Sequence, residues 1–561
     1  MAKNQKLRVK IFRFNPVKDV EPHYEEYEVP YIEGMRVLDV LNYIHDNYDG
    51  SLAYRWECRA GQCGSCAIMI NKKAGLACQT LVDPETEELL LEPLPIFPII
   101  RDLVVDVQKG YKKLLKIRPY IHRDSAAQHP EIIYQYEIED LKPMRECIEC
   151  WSCIAMCPVV QSAWDIYGGP VIMVHLAKLA LDKRNVFDHL LTAFLEGLYA
   201  CTQCANCKEV CPKEIDIPEK AVGKMRYLAY NKRNLIRNEH RKIIESVKRF
   251  YNPLNEDNST RAEWAKDLDI PVAKRDAKLL YFVGCMASWR EQRVARATAM
   301  LLKLAGADFT ILGPYERDCG SVFVRLGDME LVKEFALYMK NIVRDYDFDA
   351  IVTSCAGCFR TFKVDYLEKL GIDLGIPIYH SSELFSQYID EGRLVPNMEL
   401  NISATYHDPC HLGRHVGVFE APRKIIRNIG LNFKEMLNER YKENSRCCGA
   451  GGGVRSGYRD VAREVASYRV ENDVPKDAQV IVQTCPFCYF NFEDAVKTNN
   501  YPIKNVDLTE LLIISVAGKE AIKVLGKERY DQIMALSGLS LIHISEPTRP
   551  RLISYAVFCL K

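Results

Sequence analysis

The sequence predicts an α+β multidomain protein with three kinds of module: a small sheet-and-helix module, a helical module, and two copies of an α/β module. Three observations predict it. Twenty-one of the 22 cysteines fall into five clusters with ligand-like spacing. The apolar pattern changes along the chain, from short strands to helical periodicity and then to strands alternating with helices. The last part is duplicated, with corresponding cysteines 125 to 130 residues apart (Cys285 and Cys410, Cys319 and Cys448, Cys355 and Cys485).

Length and composition narrow the reading. At about 150 residues per domain, the chain of 561 residues implies three or four domains. Lys plus Arg and Asp plus Glu both number 75, so the formal net charge is zero. That balance leaves no electrostatic footprint for nucleic acid and no polybasic membrane patch. There is no run of about 18 apolar residues, so no membrane insertion is expected. The start, MAKNQKLRVK, lacks the apolar stretch of a signal peptide, and the expected location is cytoplasmic. Cysteine, at about 4 % of the chain, is below the disulfide-scaffold range. In a reducing compartment so many thiols point to metal ligands or catalysis.

Residues 1–106 form the first module. LRVKIFRF and YEEYEVPYI read as two strands around a turn, and MRVLDVLNYIHD as an amphipathic helix. Strand, strand and helix before a cysteine loop predict a β-grasp ferredoxin fold. Cys58, Cys63 and Cys66 follow in C-R-A-G-Q-C-G-S-C, and Cys78 in LACQT. This C-x4-C-x2-C…C spacing is that of a plant-type 2Fe–2S site. Gly61 and Gly64 permit tight turns and close N–H approach to the sulfides. The four-residue gap and the glycines argue against a zinc loop.

Residues 107–250 form the helical module. Cys147, Cys150, Cys153 and Cys157 form C-x2-C-x2-C-x3-C before Pro158, and Cys201, Cys204, Cys207 and Cys211 repeat it before Pro212. In this two-cluster run the fourth cysteine ligates the other cluster. One 4Fe–4S cluster therefore takes Cys147, Cys150, Cys153 and Cys211, and the other takes Cys201, Cys204, Cys207 and Cys157. Helical segments such as VIMVHLAKLALDK separate the runs and make this a helical ferredoxin domain.

Residues 1 to about 230 resemble the iron–sulfur subunits of the succinate dehydrogenase and fumarate reductase family. The cysteines carry the resemblance, together with EPLPIFPIIRDLVVD (92–106), which is similar to that family's link between modules. The resemblance implies a flavoprotein partner of the same type. The family usually has three cysteines in its second run and a 3Fe–4S cluster beside a quinone site. Here Cys204 fills the vacant position, which favours a full 4Fe–4S cluster and argues against quinone chemistry.

A polar stretch, 251–275, reads as a linker. The duplicated modules follow at 276–395 and 396–530. In the second copy Cys410 lies in HDPCH, Cys447 and Cys448 in CCGAGGG, and Cys485 and Cys488 in TCPFC. In the first, Cys285 lies in VGCMAS, Cys319 in DCGS, and Cys355 and Cys358 in SCAGC. The cysteines end apolar runs such as LLYFVGC and VIVQTC, which read as buried strands feeding ligand loops at strand carboxyl ends. These repeats resemble the CCG domains of heterodisulfide reductases, which carry non-cubane 4Fe–4S clusters that cleave the disulfide between coenzyme M and coenzyme B. The second copy keeps all five cysteines and is expected to hold such a cluster as the catalytic site. In the first, Asp318 replaces one cysteine. That set of Cys285, Asp318, Cys319, Cys355 and Cys358 suits a 4Fe–4S cluster or zinc.

Gly449, Gly451, Gly452 and Gly453 do not fit a dinucleotide fingerprint and read as close packing around a cluster. No FAD or NAD site is expected on this chain. His407 and His411 flank Cys410 and read first as loop-shaping residues, second as proton donors. The charged helix in NKRNLIRNEHRKIIESVKRF reads as a solvated face. The tail GLSLIHISEPTRPRLISYAVFCLK (538–561), with Cys559, continues no repeat and resembles translated sequencing-adaptor DNA.

The fusion of the two halves resembles the iron–sulfur subunits of the thiol:fumarate reductases of methanogens. That implies oxidation of coenzyme M and coenzyme B thiols to the heterodisulfide, with electrons passing to a flavoprotein that reduces fumarate to succinate. Two other readings stand beside it. One is an electron-transfer subunit of a succinate dehydrogenase whose CCG domains serve a membrane quinone. The other is a zinc-held docking module with no chemistry of its own.

Overall fold

The computed structural model describes residues 6–126 and 130–538, so the tail at 538–561 lies outside the described residues except for Gly538. Strand β1 (Lys6–Arg13) alternates buried Leu7, Val9 and Ile11 with exposed partners, the period of a half-buried strand. It pairs antiparallel with β2 (His23–Pro30) and parallel with β5 (Glu88–Glu92). With β3 (Ala67–Ile70) and β4 (Lys73–Leu76) the sheet runs in the order β2-β1-β5-β3-β4. Helix α1 (Val37–Asn47) buries Val37, Val40, Leu41 and Ile44 in the same core as the strand residues. A short ribbon of β6 (Ile99–Arg101) and β7 (Val104–Val105) follows. Buried Arg13 holds that end in place by donating to Asp102, Glu25 and Asp49.

In the helical part, Pro170–Ala180 is buried on nearly every side, as its continuous apolar sequence requires. Asn238–Phe250 is amphipathic, and it buries more than a solvated face predicts. His240 is fully buried, with its Nε2 2.8 Å from the Gly453 carbonyl oxygen.

Two four-stranded parallel sheets follow. The first joins β8 (Leu279–Phe282), β9 (Phe309–Thr310), β10 (Ala350–Thr353) and β11 (Ile378–His380) in the order β11-β10-β8-β9. The second joins β12 (Ser403–Tyr406), β13 (Asn432–Phe433), β14 (Val480–Gln483) and β15 (Lys504–Asp507) in the order β13-β12-β14-β15. Counted within each copy, both sheets have the same set of neighbours around the central pair. Strands β8 and β14 are buried throughout, as parallel strands covered on both faces are.

The duplication extends to side-chain pairs. Tyr281 and Ser354 meet at 3.2 Å where Tyr406 and Thr484 meet at 2.8 Å. The buried ion pair Arg325–Asp365 has its counterpart in Arg455–Asp494, both at 2.7 Å. His380 with Glu383 and Asp507 with Glu510 form equivalent capping boxes at the start of the last helix. The stretch 251–275 packs rather than spans: Trp264, Leu268 and Ile270 are buried in the core that runs behind both repeats.

A second core is continuous from Phe97 and Trp151 through the helical module to Phe323 and Phe492 in the two repeats. Arg226 sits within it, with no exposed surface. Its guanidinium donates to the carbonyls of Leu198 (3.1 and 2.8 Å) and Cys201 (2.7 Å) in the helical module, Arg325 (2.8 Å) in the first repeat and Gly452 (2.9 Å) in the second. A planar fork of five N–H donors suits this task, which a point-like ammonium does not.

Candidate metal centres

In the N-terminal loop the Cys58 sulfur accepts backbone N–H groups from Ala60 (3.4 Å), Gln62 (3.3 Å) and Cys63 (3.3 Å). These donors lower its pKa to about 6. The turn that delivers them uses left-handed backbone at Arg59 (φ 54°), Gly61 (65°) and Gly64 (73°). Cys66 and Cys78 lie buried beside each other, and burial pushes Cys66 up to about 12. Gly64 also marks the approach to the next centre. A Cβ there would lie 2.7 Å from the Ile148 carbonyl oxygen and 3.0 Å from the Cys150 Cα.

The eight cysteines of the helical module line two cavities. Cys147, Cys150, Cys153 and Cys211 line one, with Trp151, Val171 and Pro212. Cys157, Cys201, Cys204 and Cys207 line the other, with Tyr167, Pro170 and Pro218. Each cavity collects three thiols of one run and the last of the other. The two runs share a backbone device absent from spacing rules. Glu149 (φ 52°) and Trp151 (65°) flank Cys150, and Gln203 (51°) and Ala205 (64°) flank Cys204. These matched left-handed residues curl each loop, and in the second run the Gln203 N–H reaches the Cys201 sulfur at 3.4 Å.

Burial pushes the Cys147 thiol up to about 11, and those of Cys153 and Cys207 well above the ordinary value. Crowded, desolvated thiols resist ionising together; a cationic metal core reverses that and takes them as thiolates. Four such donors within apolar walls therefore fit a 4Fe–4S cluster in each cavity.

In the repeats the thiols form a continuous series. Cys447 neighbours Cys410 and Cys448, Cys448 neighbours Cys488, and Cys488 neighbours Cys485, each close enough to shift the other's ionisation. Across the seam between the copies, Cys485 neighbours Cys355, Cys355 neighbours Cys358, and Cys358 neighbours Cys319. Cys285 lies within electrostatic reach of Asp318 and Cys319. At its other end the series reaches the helical module, where the neighbouring Cys447 thiol lowers Cys204 to about 6. Asp318 is buried, and its carboxylate accepts the Gly320 N–H at 2.7 Å. Burial raises it to about 6. Five sulfur donors in the second copy, and four with one carboxylate in the first, fit iron–sulfur or zinc chemistry.

The glycine run does permit close packing, mostly against the neighbouring module. A Cβ at Gly452 (φ 65°) would lie 2.4 Å from the Cys201 carbonyl oxygen, and one at Gly451 2.9 Å from that of Thr202. Sequence reasoning missed the residues that hold this seam. Arg414 donates to the Cys204 carbonyl at 2.5 Å and to that of Ser445, and the His415 Nε2 lies 3.0 Å from the Gln203 carbonyl oxygen. Nothing in their local spacing separates them from ordinary surface residues.

Comparison with known proteins follows the same division. Residues 8–112 match the 2Fe-2S iron-sulfur cluster binding domain, 143–215 the 4Fe-4S dicluster domain, and 279–363 and 404–493 the cysteine-rich domain. An uncharacterized iron–sulfur protein of Methanocaldococcus jannaschii is 35% identical over 492 residues, covering 88% of this chain and 95% of its own. A component of the fumarate reductase (CoM/CoB) of Methanothermobacter marburgensis is 34% identical, covering 90% and 98%. A component of the dihydromethanophenazine:CoB–CoM heterodisulfide reductase of Methanosarcina mazei is 31% identical, covering 66% and 94%. A hypothetical protein from Helicobacter pylori shares the fold, with a TM-score of 0.62, 14% identity, and coverage of 94% and 98%. Among the described residues, no helix is long and apolar enough to cross a membrane.

Proposed function

The chain belongs to the family of iron–sulfur oxidoreductase subunits that includes the matching component of fumarate reductase (CoM/CoB), and from that premise we propose that it oxidises a pair of thiols and passes their electrons to a flavoprotein partner. The thiols are those of coenzyme M and coenzyme B, and the flavoprotein reduces fumarate. Two thiols yield one disulfide, two protons and two electrons; fumarate takes up two of each to become succinate.

The parts divide the work. Cys58, Cys63, Cys66 and Cys78 hold a 2Fe–2S cluster, and the two cavities of the helical module hold one 4Fe–4S cluster each. Cys410, Cys447, Cys448, Cys485 and Cys488 hold the non-cubane 4Fe–4S cluster at which thiols react. Cys285, Asp318, Cys319, Cys355 and Cys358 hold a 4Fe–4S cluster or zinc. When bound, such clusters supply one-electron steps between the two-electron couples of the thiols and the flavin. The chain's own residues support the route: Gly452 and Arg414 set the second repeat against the Cys201–Cys204 loop, and Gly64 sets the N-terminal loop against Cys150.

The packing of the glycine run after Cys447 and Cys448 against the Cys201 loop, with Arg414 donating to the Cys204 carbonyl, is the observation that carries this reading. It supports a route from the five-thiol set to the cavity that Cys204 lines, rather than to a quinone. The test is fumarate reduction by the chain assembled with its flavoprotein subunit. The thiol pair should drive it and a quinol should not; the reverse preference would overturn the proposal.

A further inference from the structure

The two repeats carry one matched pair of rings that differs in a single respect. In the first, Phe282 packs edge-on against Phe362, with centroids 4.7 Å apart. At the corresponding place in the second, His407 packs edge-on against Phe492, with centroids 4.9 Å apart. The packing therefore needs only a ring, which phenylalanine supplies. A histidine there brings two polar nitrogens into a site where it keeps about 1% of its surface exposed.

Neither ring nitrogen of His407 has a conventional hydrogen-bond partner, although burying polar atoms unpaired is costly. What does face the ring is sulfur. A ring nitrogen of His407 and the sulfurs of Cys448 and Cys488 all lie within 4.8 Å of one another, a spacing that admits one metal ion between them. The first repeat has a phenyl ring at this place and lacks one of the five cysteines. The extra thiol and the imidazole thus occur in the same copy.

We propose that His407 is a nitrogen ligand to an iron of the second-repeat site, on the face formed with Cys448 and Cys488. The inference rests on the reading that this repeat holds iron. It makes the two copies chemically unequal. An imidazole is a neutral donor, so an iron that it helps to hold is more electron-poor than one held by thiolates and sulfides alone, and the better acceptor for an incoming thiolate.

The experiment uses the full chain, purified without oxygen and poised by redox titration, with natural-abundance or 15N-labelled histidine. Nitrogen hyperfine spectroscopy should show a strongly coupled nitrogen that changes on histidine labelling and vanishes in His407→Phe, which installs the first repeat's own ring. The iron-to-protein ratio and circular dichroism should stay as in the wild type. His407→Gln should lose the same coupling and serves if the phenylalanine variant folds poorly. A coupling that persists in both variants, or is missing from the iron-loaded wild type, would overturn the assignment. An iron content unchanged by Cys488→Ser, with iron missing from the second repeat, would overturn the parent reading and this inference together.

Discussion

The Arg226 guanidinium meets the Gly452 carbonyl at 2.9 Å, across 226 residues of chain and between two modules. The same fork reaches the Cys201 carbonyl at 2.7 Å. One buried cation therefore ties the loop of the second cluster cavity to the glycine run beside the five-thiol site. No carboxylate is among its hydrogen-bond partners; carbonyl dipoles and the face of the Tyr199 ring, 5.0 Å from the guanidinium carbon, offset its burial.

Replacing this residue should be severe. Arg226→Met leaves four buried carbonyls without their donor. Each unpaired group costs about 1–3 kcal/mol, and the combined loss, which is not additive, is expected at about 3–5 kcal/mol. Arg226→Lys should recover only part, since an ammonium cannot fork to four acceptors. Thermal unfolding and limited proteolysis measure this. Wild-type resistance in Arg226→Met would contradict the stapling role.

Gly452→Ala tests the seam by another route. The Cβ would stand 2.4 Å from backbone, in a left-handed conformation. The two modules must then part or the loop must refold. The expected result is weaker magnetic interaction between the clusters on either side, with both still present. Gly375→Ala is the control: its φ is 77° but nothing lies within 4 Å, so about 1 kcal/mol of backbone strain and normal spectra are expected.

Cys204→Val removes the fourth thiol of the second cavity. A three-iron cluster should form there, seen as a new 3Fe–4S resonance with the domain still folded. The cavity lies on the side of the second repeat, where Arg414 donates to the Cys204 carbonyl, so thiol-dependent activity should fall further than dye-linked activity. An unchanged resonance spectrum would mean Cys204 is not a ligand.

Cys448→Ser should abolish thiol-dependent fumarate reduction in the assembled complex, whereas a dye donating to the flavoprotein should still support it. Cys355→Ser should slow the thiol reaction without abolishing it. Full thiol-dependent activity in Cys448→Ser would place the reaction elsewhere.

Acid should loosen the same seam. Burial depresses His240 to about 4 while it contacts the Gly453 carbonyl. An unfolded histidine titrates near 6.5, so between about pH 6.5 and 4 the unfolded chain binds the extra proton. The neutral ring's contribution is thus whole above 6.5 and lost as pH falls, by at most about 3 kcal/mol. Urea unfolding at pH 7 and pH 5 should differ less in His240→Gln than in the wild type.

Much of this architecture was legible because metal ligation imposes spacing. The runs at 147–157 and 201–211 predicted an exchange of last cysteines, and each of two cavities is lined by three cysteines of one run and the last of the other. The duplicated strands were legible from apolar runs ending in cysteine. What spacing could not convey was how the modules meet. His240 sits in the charged stretch that reads as a solvated face, Arg226 lies just before it, and only tertiary packing buries them. Left-handed Trp151 and Ala205 are invisible for another reason. Neither residue type favours that backbone, which the loop imposes on them.

The reach of Arg226 has a bearing on synthesis. As the chain leaves the ribosome, the helical module is complete some two hundred residues before Gly452 is made. Until the first repeat supplies the Arg325 carbonyl, the guanidinium has only the Leu198 and Cys201 carbonyls and the Tyr199 ring of its own module, and water must solvate its remaining donors. The surface that later becomes the seam is open to solvent and oxidants for as long. Cluster insertion into the second cavity before the last repeat docks would give Cys204 metal ligation while its eventual neighbour Cys447 does not yet exist. Long sequence separation between such partners slows the closing step and leaves an early intermediate exposed.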